Sequence, residues 1–258
     1  MKTVKVMSFN LRVATPRDGI NCMENRAPRV REVLRQQAPD LIGFQEACGW
    51  VWNWLEETLS EDYQVVGCGR NADYGGEGTP MAFRKSRFQM LGMDCFWLSD
   101  TPRVPGSRYM DSDQSKFPRM AISLLLKDRE SGELITFVNT HTDHEGANAR
   151  ALELCQLSTY LEKCPGHKIL TGDMNALPDS EEISGFLERV KPQNIKDSTA
   201  AVEGSFHGYG CANPYKKIDY IFTDLPAAES CAVPDTPVDG VYYSDHLAVC
   251  SVLQLNDK

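Results

Sequence analysis

Met120-Ala121-Ile122-Ser123-Leu124-Leu125-Leu126-Lys127, Arg129-Glu130-Ser131-Gly132 and Leu134-Ile135-Thr136-Phe137-Val138-Asn139 form the stretch that decides the fold. Two apolar, β-type runs joined by a short glycine-bearing turn read as an antiparallel hairpin. The next segment changes period. From Ala147 to Lys163, Leu152, Cys155, Leu157, Tyr160 and Leu161 recur at helical spacing, and Pro165-Gly166 closes the segment before the apolar strand Lys168 to Thr171. A hairpin next to a strand, helix, strand unit favours two packed sheets flanked by helices over a purely parallel, doubly wound sheet.

The rest of the chain continues the mixture. Val4 to Phe9 reads as a first strand, Asn25 to Gln37 as a helix carrying Val30, Val33 and Leu34, and Leu41 to Phe44 as a strand opened by Pro39-Asp40. Trp50 to Leu59 is a second helix. Tyr63 to Gly67 and Met81 to Phe83 are strands on either side of the loop Gly75-Gly76-Glu77-Gly78, and Ser99 to Pro118 is a polar, proline-bearing surface excursion placed near the site. A helix over Glu181 to Val190 and strands over Ile218 to Phe222 and Leu247 to Leu253 complete the order. No composition break or repeat divides residues 1–258, which read as a single domain.

Composition narrows the function. A hydrophobic fraction of 41% supplies a core, and no stretch reaches the roughly 20 apolar residues of a membrane helix. Nine cysteines without zinc or redox spacing point to free thiols in a reducing compartment, so the expected location is cytoplasmic. The net charge of −9, with no Lys/Arg run, argues against tight nonspecific binding of duplex nucleic acid and for a small or single-stranded substrate.

Four short polar signatures each sit at the end of an apolar strand: Ser8-Phe9-Asn10-Leu11-Arg12, Gly43-Phe44-Gln45-Glu46-Ala47, Thr171-Gly172-Asp173-Met174-Asn175 and Tyr243-Ser244-Asp245-His246-Leu247. Strand ends hold side chains still while the loops open to solvent. Glu46 suits a hard cation such as Mg²⁺, which takes one or two carboxylates and fills its remaining positions with water and phosphate. Asn10 can ligate through oxygen or orient a phosphate through its NH₂ group. Asp173 and Asn175, two apart in an extended segment, face one side and can engage one water or one phosphate. His246 needs a carboxylate on its second nitrogen for proton transfer, and the strand acid Asp219 can supply it. Arg119, heading an apolar strand, is a candidate fork onto phosphoryl oxygens, whereas Arg150 reads as a surface or salt-bridged residue. Trp97 and Phe206 are either core or substrate wall.

Asn139-Thr140-His141-Thr142-Asp143-His144 opens a rival reading. It is one residue away from the His-x-His-x-Asp-His zinc signature of metallo-β-lactamase-like hydrolases, with His207, Asp219 and His246 as further ligands. Asn139 in place of the first histidine removes a zinc ligand, and Asn10, Glu46, Asp173 and Asn175 go unexplained. A noncatalytic phosphoester-binding module is the third reading.

Taken in order, the motifs resemble the Mg²⁺-dependent endonuclease/exonuclease/phosphatase superfamily, the DNase I-like group, over Ser8 to Val249. Asn25-Arg26, Phe96-Trp97-Leu98-Ser99, Thr142-Asp143-His144 and Gly204-Ser205-Phe206-His207-Gly208 look like a bacterial subgroup of undefined substrate. The resemblance implies a four-layer α/β/β/α sandwich and a phosphodiesterase or phosphomonoesterase that uses Mg²⁺, with Mn²⁺ as a substitute. It implies Asn10 and Glu46 at the metal with Asp245 close by, and His141 stabilising phosphoryl charge. Asp173 and Asn175 would orient water and phosphate, and Asp219 would hold His246. Whether Asp173 or His246 takes the proton stays open.

Overall fold

The computed structural model describes residues 2–255. Its strands are β1 (Lys2–Asn10), β2 (Leu41–Gln45), β3 (Tyr63–Val66), β4 (Met81–Arg84), β5 (Phe88–Trp97), β6 (Met120–Asp128), β7 (Leu134–His141), β8 (His167–Asp173), β9 (Lys196–Asp197), β10 (Asp219–Thr223), β11 (Ala227–Ala232) and β12 (Val249–Leu255). The helices are α1 (Met23–Gln37), α2 (Trp50–Leu59), α3 (Ala147–Glu162) and α4 (Glu181–Val190). The hairpin forms as β6 against β7, Ala121 opposite Thr140, and β7 then runs parallel to β8 across α3.

Two six-stranded mixed sheets result, ordered β11-β12-β1-β2-β4-β3 and β5-β6-β7-β8-β10-β9. The second sheet is one continuous block of chain. The first is assembled from segments on both sides of that block, with β1 between parallel β2 and antiparallel β12.

Period-two alternation sorts the side chains into three apolar layers. Met7, Phe9, Ile42 and Phe44 face α1 and α2, where Val30, Val33, Val51 and Leu55 cover them. Val138, Leu170, Tyr220 and Phe222 face α3 and α4, against Leu154, Leu157, Ile183 and Phe186. Between the sheets lie Val4, Val6, Leu41, Ile122, Leu124, Phe137, Ile169 and Ile221. This is an α/β/β/α sandwich.

The inner faces change character along each strand. Val4 and Val6 give way to Ser8 and Asn10, Ile135 and Phe137 to Asn139 and His141, and Ile169 to Thr171 and Asp173. Midway the sheets meet in a polar seam, where Asn139 Oδ1 accepts from Gln45 Nε2 at 2.8 Å and Thr171 Oγ1 at 3.0 Å, and Asn139 Nδ2 donates to Phe44 O at 2.7 Å. Gly43 permits that approach: a Cβ there would lie 2.1 Å from Thr171 Oγ1 and 2.4 Å from Asn139 Oδ1.

Several elements depart from the sequence expectations. Strand β5 escapes the sequence pattern, because Gly92 and Asp94 interrupt its apolar run and a register shift falls between Met90 and Gly92. Strand β11 is built of small, mostly exposed residues and exists because β12 offers it an edge. On α3, Leu152 is 38% exposed and Cys155 half-buried, while Ala149, Glu153, Leu154 and Ser158 join Leu157 and Leu161 inside. Glu153 explains the rotation: its Oε2 accepts the Asp143 N–H at 2.8 Å, so the polar residue occupies the inner stripe.

Candidate active site

Six polar inner-face residues converge where the strands of both sheets end. Asn10 closes β1, His141 closes β7, Asp173 closes β8, and Asp219 opens β10 directly opposite Asp173. Glu46 follows β2 with φ 63°, and Asn175 follows β8 with φ 47°. Left-handed backbone costs a non-glycine residue about 1–2 kcal/mol. At Glu46 that turn breaks the alternation, so Gln45 stays in the seam while Glu46 reaches the cleft.

Asn10 ties the carboxylates together. Its Nδ2 donates to Glu46 Oε1 at 3.0 Å and to Asp173 Oδ2 at 2.9 Å, and its Oδ1 accepts the Arg12 N–H at 2.9 Å. Glu46 Oε2 accepts the Val13 N–H at 2.7 Å, and Asp173 Oδ1 accepts the Asn175 N–H at 2.9 Å. Both imidazoles point at Asp173 Oδ2, His141 Nε2 from 3.6 Å and His246 Nε2 from 3.8 Å. His246 Nδ1 lies 2.8 Å from Asp219 Oδ2, which fixes the ring proton on Nδ1. Asp245 stands 4.0 Å from His246 Nε2 and 3.8 Å from Arg12 Nε.

Proton affinities diverge within this cluster. Burial would raise Glu46, but His246, the Asn10 amide and the Val13 N–H hold it below its ordinary value. Asp173 is pushed up to about 7, first by burial and then by the Asp219 charge. Burial would lower His246, yet Asp219, with help from Asp245 and Asp173, raises it to about 10. His141 stays well below 6.5 because it is buried and faces Arg119 and Arg70. One imidazole is therefore cationic and the other neutral near pH 7, with a carboxyl of near-neutral affinity between them.

Glu46, His141 and Asp173 each offer a ligand atom within 4.8 Å of the others, as do Asp173, Asp219 and His246. The rival zinc set is not brought together. Asp143 accepts from the Ser115 hydroxyl at 2.5 Å and from the backbone of Ser115, Glu145 and Gly146, which hold it down to about 2 against burial. His207 packs between Tyr215 and Tyr242, with Nδ1 accepting the Gly210 N–H.

The cleft encloses about 480 Å³, and Arg119 and Phe206 line it together with Arg12, Arg70, Glu77, His144, Leu177 and Lys216. Arg150 pairs with Glu182 at 2.8 Å, and Trp97 lies in the core. Arg70, Glu77 and Phe117 escape sequence reasoning, since none stands at the end of an apolar strand. The one signal is the glycine-rich loop that carries Glu77. Ser99 to Pro118 does reach the site, through Ser115 on Asp143 and Phe117 at the cleft.

No curated protein matches the chain. Solved structures do. An endonuclease/exonuclease/phosphatase from Bacteroides vulgatus is 27% identical, covers 99% of this chain and 100% of its own, and superposes with a TM-score of 0.88. An endonuclease/exonuclease/phosphatase family protein from Bacteroides thetaiotaomicron is 25% identical over 98% of this chain and 95% of its own, with a TM-score of 0.86. A mannosyl-6-phosphatase of that organism, 24% identical over 98% of this chain and all of its own, shares the fold at a TM-score of 0.85. The sequence model of the Endonuclease/Exonuclease/phosphatase family matches residues 7–246. With two mixed sheets carrying this cluster at their shared end, the chain belongs to the endonuclease/exonuclease/phosphatase family.

Proposed function

We propose that the chain hydrolyses a phosphoester by attack of water, with a hard divalent cation, Mg²⁺ or Mn²⁺, held by Glu46 and with Asn10 and Asp245 beside it. The donor set fits such an ion: the candidate cluster is dominated by carboxylate oxygen, and Glu46 is ionised. When bound, the cation supplies charge against the phosphoryl oxygens and lowers the pKa of a coordinated water.

The observation that carries the reading is Asp173, a buried carboxyl of near-neutral affinity that Asn10 grips and both imidazoles face. Asp173 orients the attacking water and accepts its proton, and Asn175 holds the phosphate next to it. Asp219 keeps His246 charged, so the Nε2 proton offsets charge on the phosphoryl oxygens. His141, neutral, donates to the same group, and Arg119 faces it from the cleft wall. Relatives sharing this fold carry different names, so the substrate follows from this chain's own cleft and charge: a small or single-stranded phosphoester.

The test is turnover of p-nitrophenyl phosphate and bis-p-nitrophenyl phosphate with Mg²⁺, Mn²⁺ or Zn²⁺, by wild type, Glu46→Gln and His246→Ala. Turnover that needs Mg²⁺ or Mn²⁺ and falls at least about 100-fold in both variants is expected. Full Mg²⁺-dependent activity in Glu46→Gln would remove the assigned metal residue. Activity with Zn²⁺ alone would restore the zinc hydrolase, and ligand binding without turnover of any ester would leave a binding module.

A further inference from the structure

We propose that Cys231 and Cys250 form an oxidant-reactive dithiol, at which a hydroperoxide closes a reversible disulfide between strands β11 and β12. The inference stands apart from the hydrolytic reading, because it uses thiols which that chemistry does not touch.

The placement follows from register. Strands β11 and β12 run antiparallel with Cys231 directly opposite Cys250, so the two side chains leave the sheet on one face. Opposed residues in such a pair have Cα atoms about 4.5–5.5 Å apart, inside the roughly 4.4–6.8 Å that a disulfide spans. The two thiols hydrogen-bond to each other. Strand β11 is a sheet edge and is exposed over most of its length, so it can settle onto β12 without repacking the core.

Burial divides the roles. Cys231 is exposed, whereas Cys250 is 2% exposed and belongs to the apolar layer that α1 and α2 cover. A peroxide arriving from solvent therefore meets Cys231, and Cys250 reacts through it. Charge favours the same order. The shared hydrogen bond lowers Cys231 to about 6 against burial, with Lys5 of β1 assisting and Glu229 of β11 opposing. The same bond, with burial, pushes Cys250 well up. A thiolate is the nucleophile in such reactions, so the accessible sulfur is also the reactive one. Cys68 and Cys95 hydrogen-bond to each other too, but both are half-buried. Cys211, the other exposed cysteine among the described residues, lies in a turn. Neither case joins an exposed thiol to a partner that a strand ladder holds opposite it.

The chemistry balances with the peroxide as oxidant. Cys231 sulfur attacks one peroxide oxygen, the O–O bond breaks, and the departing hydroxide takes up the thiol proton as water, leaving a sulfenic acid. Cys250 sulfur then attacks Cys231 sulfur, the S–O bond breaks, and a second water leaves with the Cys250 proton. Two thiols are oxidised by two electrons, and one peroxide is reduced to two waters. The bond closes residues 231–250 into a ring that contains Asp245 and His246. Cross-linking restricts the unfolded chain more than the folded one, so the oxidised protein holds the segment carrying those two residues against thermal unfolding.

The deciding experiment treats the full chain with hydrogen peroxide, blocks remaining thiols with N-ethylmaleimide and maps unreduced peptides by mass spectrometry, for wild type, Cys231→Ser and Cys250→Ser. Wild type is expected to lose two hydrogens and to yield a linked Cys231 and Cys250 peptide pair that dithiothreitol separates, with a Tm above that of the reduced protein. Cys231→Ser yields no such pair and no rise in Tm. Cys250→Ser stops at a Cys231 sulfenic acid that dimedone traps. In the reduced wild type at about pH 7, bromobimane is expected to label Cys231 at least tenfold faster than Cys211. Oxidation of Cys231 without linkage to Cys250, linkage of Cys68 to Cys95 in its place, or labelling of Cys231 no faster than Cys211 overturns the proposal. Should Cys250→Ser fail to fold, the wild-type peptide map and the Cys231→Ser comparison still decide.

Discussion

Replacing Asp219 by Asn keeps the size of the side chain and removes one charge from the centre of the site. Asp219 Oδ2 lies 2.8 Å from His246 Nδ1, and a buried hydrogen bond to a charged group is worth about 1.5–3 kcal/mol. At about 1.4 kcal/mol per pKa unit, that loss lowers His246 by about one to two units, from about 10 toward about 8–9. The Asp219 charge also raises Asp173, second only to burial, so Asp173 drops below about 7 in the same variant. If Asp173 must be ionised and His246 protonated, the two form the limbs of a bell-shaped pH–rate profile. Removing Asp219 slides both limbs to lower pH. The folded His246 value lies above its ordinary one, so this pairing stabilises the fold fully below pH about 6.5 and is lost as pH rises through about 10. Imidazole NMR titration of the metal-free protein, paired with the pH–rate profile of wild type and Asp219→Asn, reads both shifts. A wild-type His246 that titrates near 6.5, or a variant whose imidazole curve and rate profile stay where they were, refutes the reasoning.

Gly43→Ala places a Cβ 2.1 Å from Thr171 Oγ1, so the sheets must part by roughly 1 Å. Overpacking of about 1–3 kcal/mol plus a broken seam hydrogen bond of similar size predicts a loss of about 2–6 kcal/mol. Thermal unfolding followed by circular dichroism is expected to show a Tm lower by roughly 10 °C, and an unchanged Tm would place the slack elsewhere. Burial raises Glu153 to about 8, so its effect on stability is benign below about 4.5 and becomes a penalty as pH rises through 8. Glu153→Gln is therefore expected to gain about 2 kcal/mol on wild type between pH 6 and 9, measured by urea unfolding at both pH values; a constant difference contradicts a buried, titrating Glu153.

The strand ends are readable in the sequence because each inner face follows period two. Val4, Val6, Ser8 and Asn10, or Ile169, Thr171 and Asp173, spell out one column from core to cleft. Asp219 and His246 pair on chemical need, and they meet at 2.8 Å. The features that stay hidden depend on tertiary partners. Arg70 looks like any loop arginine until Phe117 and Glu77 close around it. Glu153 reads as an outward helix charge until the Asp143 N–H claims it. Strand β11 has no apolar alternation of its own and is defined by its neighbour. Asn139 stands out in the sequence only as a failed zinc ligand, whereas it joins the two sheets.

The order in which the first sheet is filled has a consequence for synthesis. Chains emerge N-terminus first, and the second sheet, lying within residues 88–223, can pair as it is made. Strand β1 cannot complete its ladder so early: one of its edges waits for β12, the last strand described, and His246 arrives just ahead of it. A nascent or truncated chain that ends before His246 thus holds Glu46, His141 and Asp173 but lacks the imidazolium opposite them, and, without β12, it presents a bare edge of apolar Val4, Val6 and Met7. Closure of the first sheet and assembly of the candidate site fall on the same few residues, so a ribosome stalled before them leaves an adhesive sheet edge beside an incomplete polar cluster.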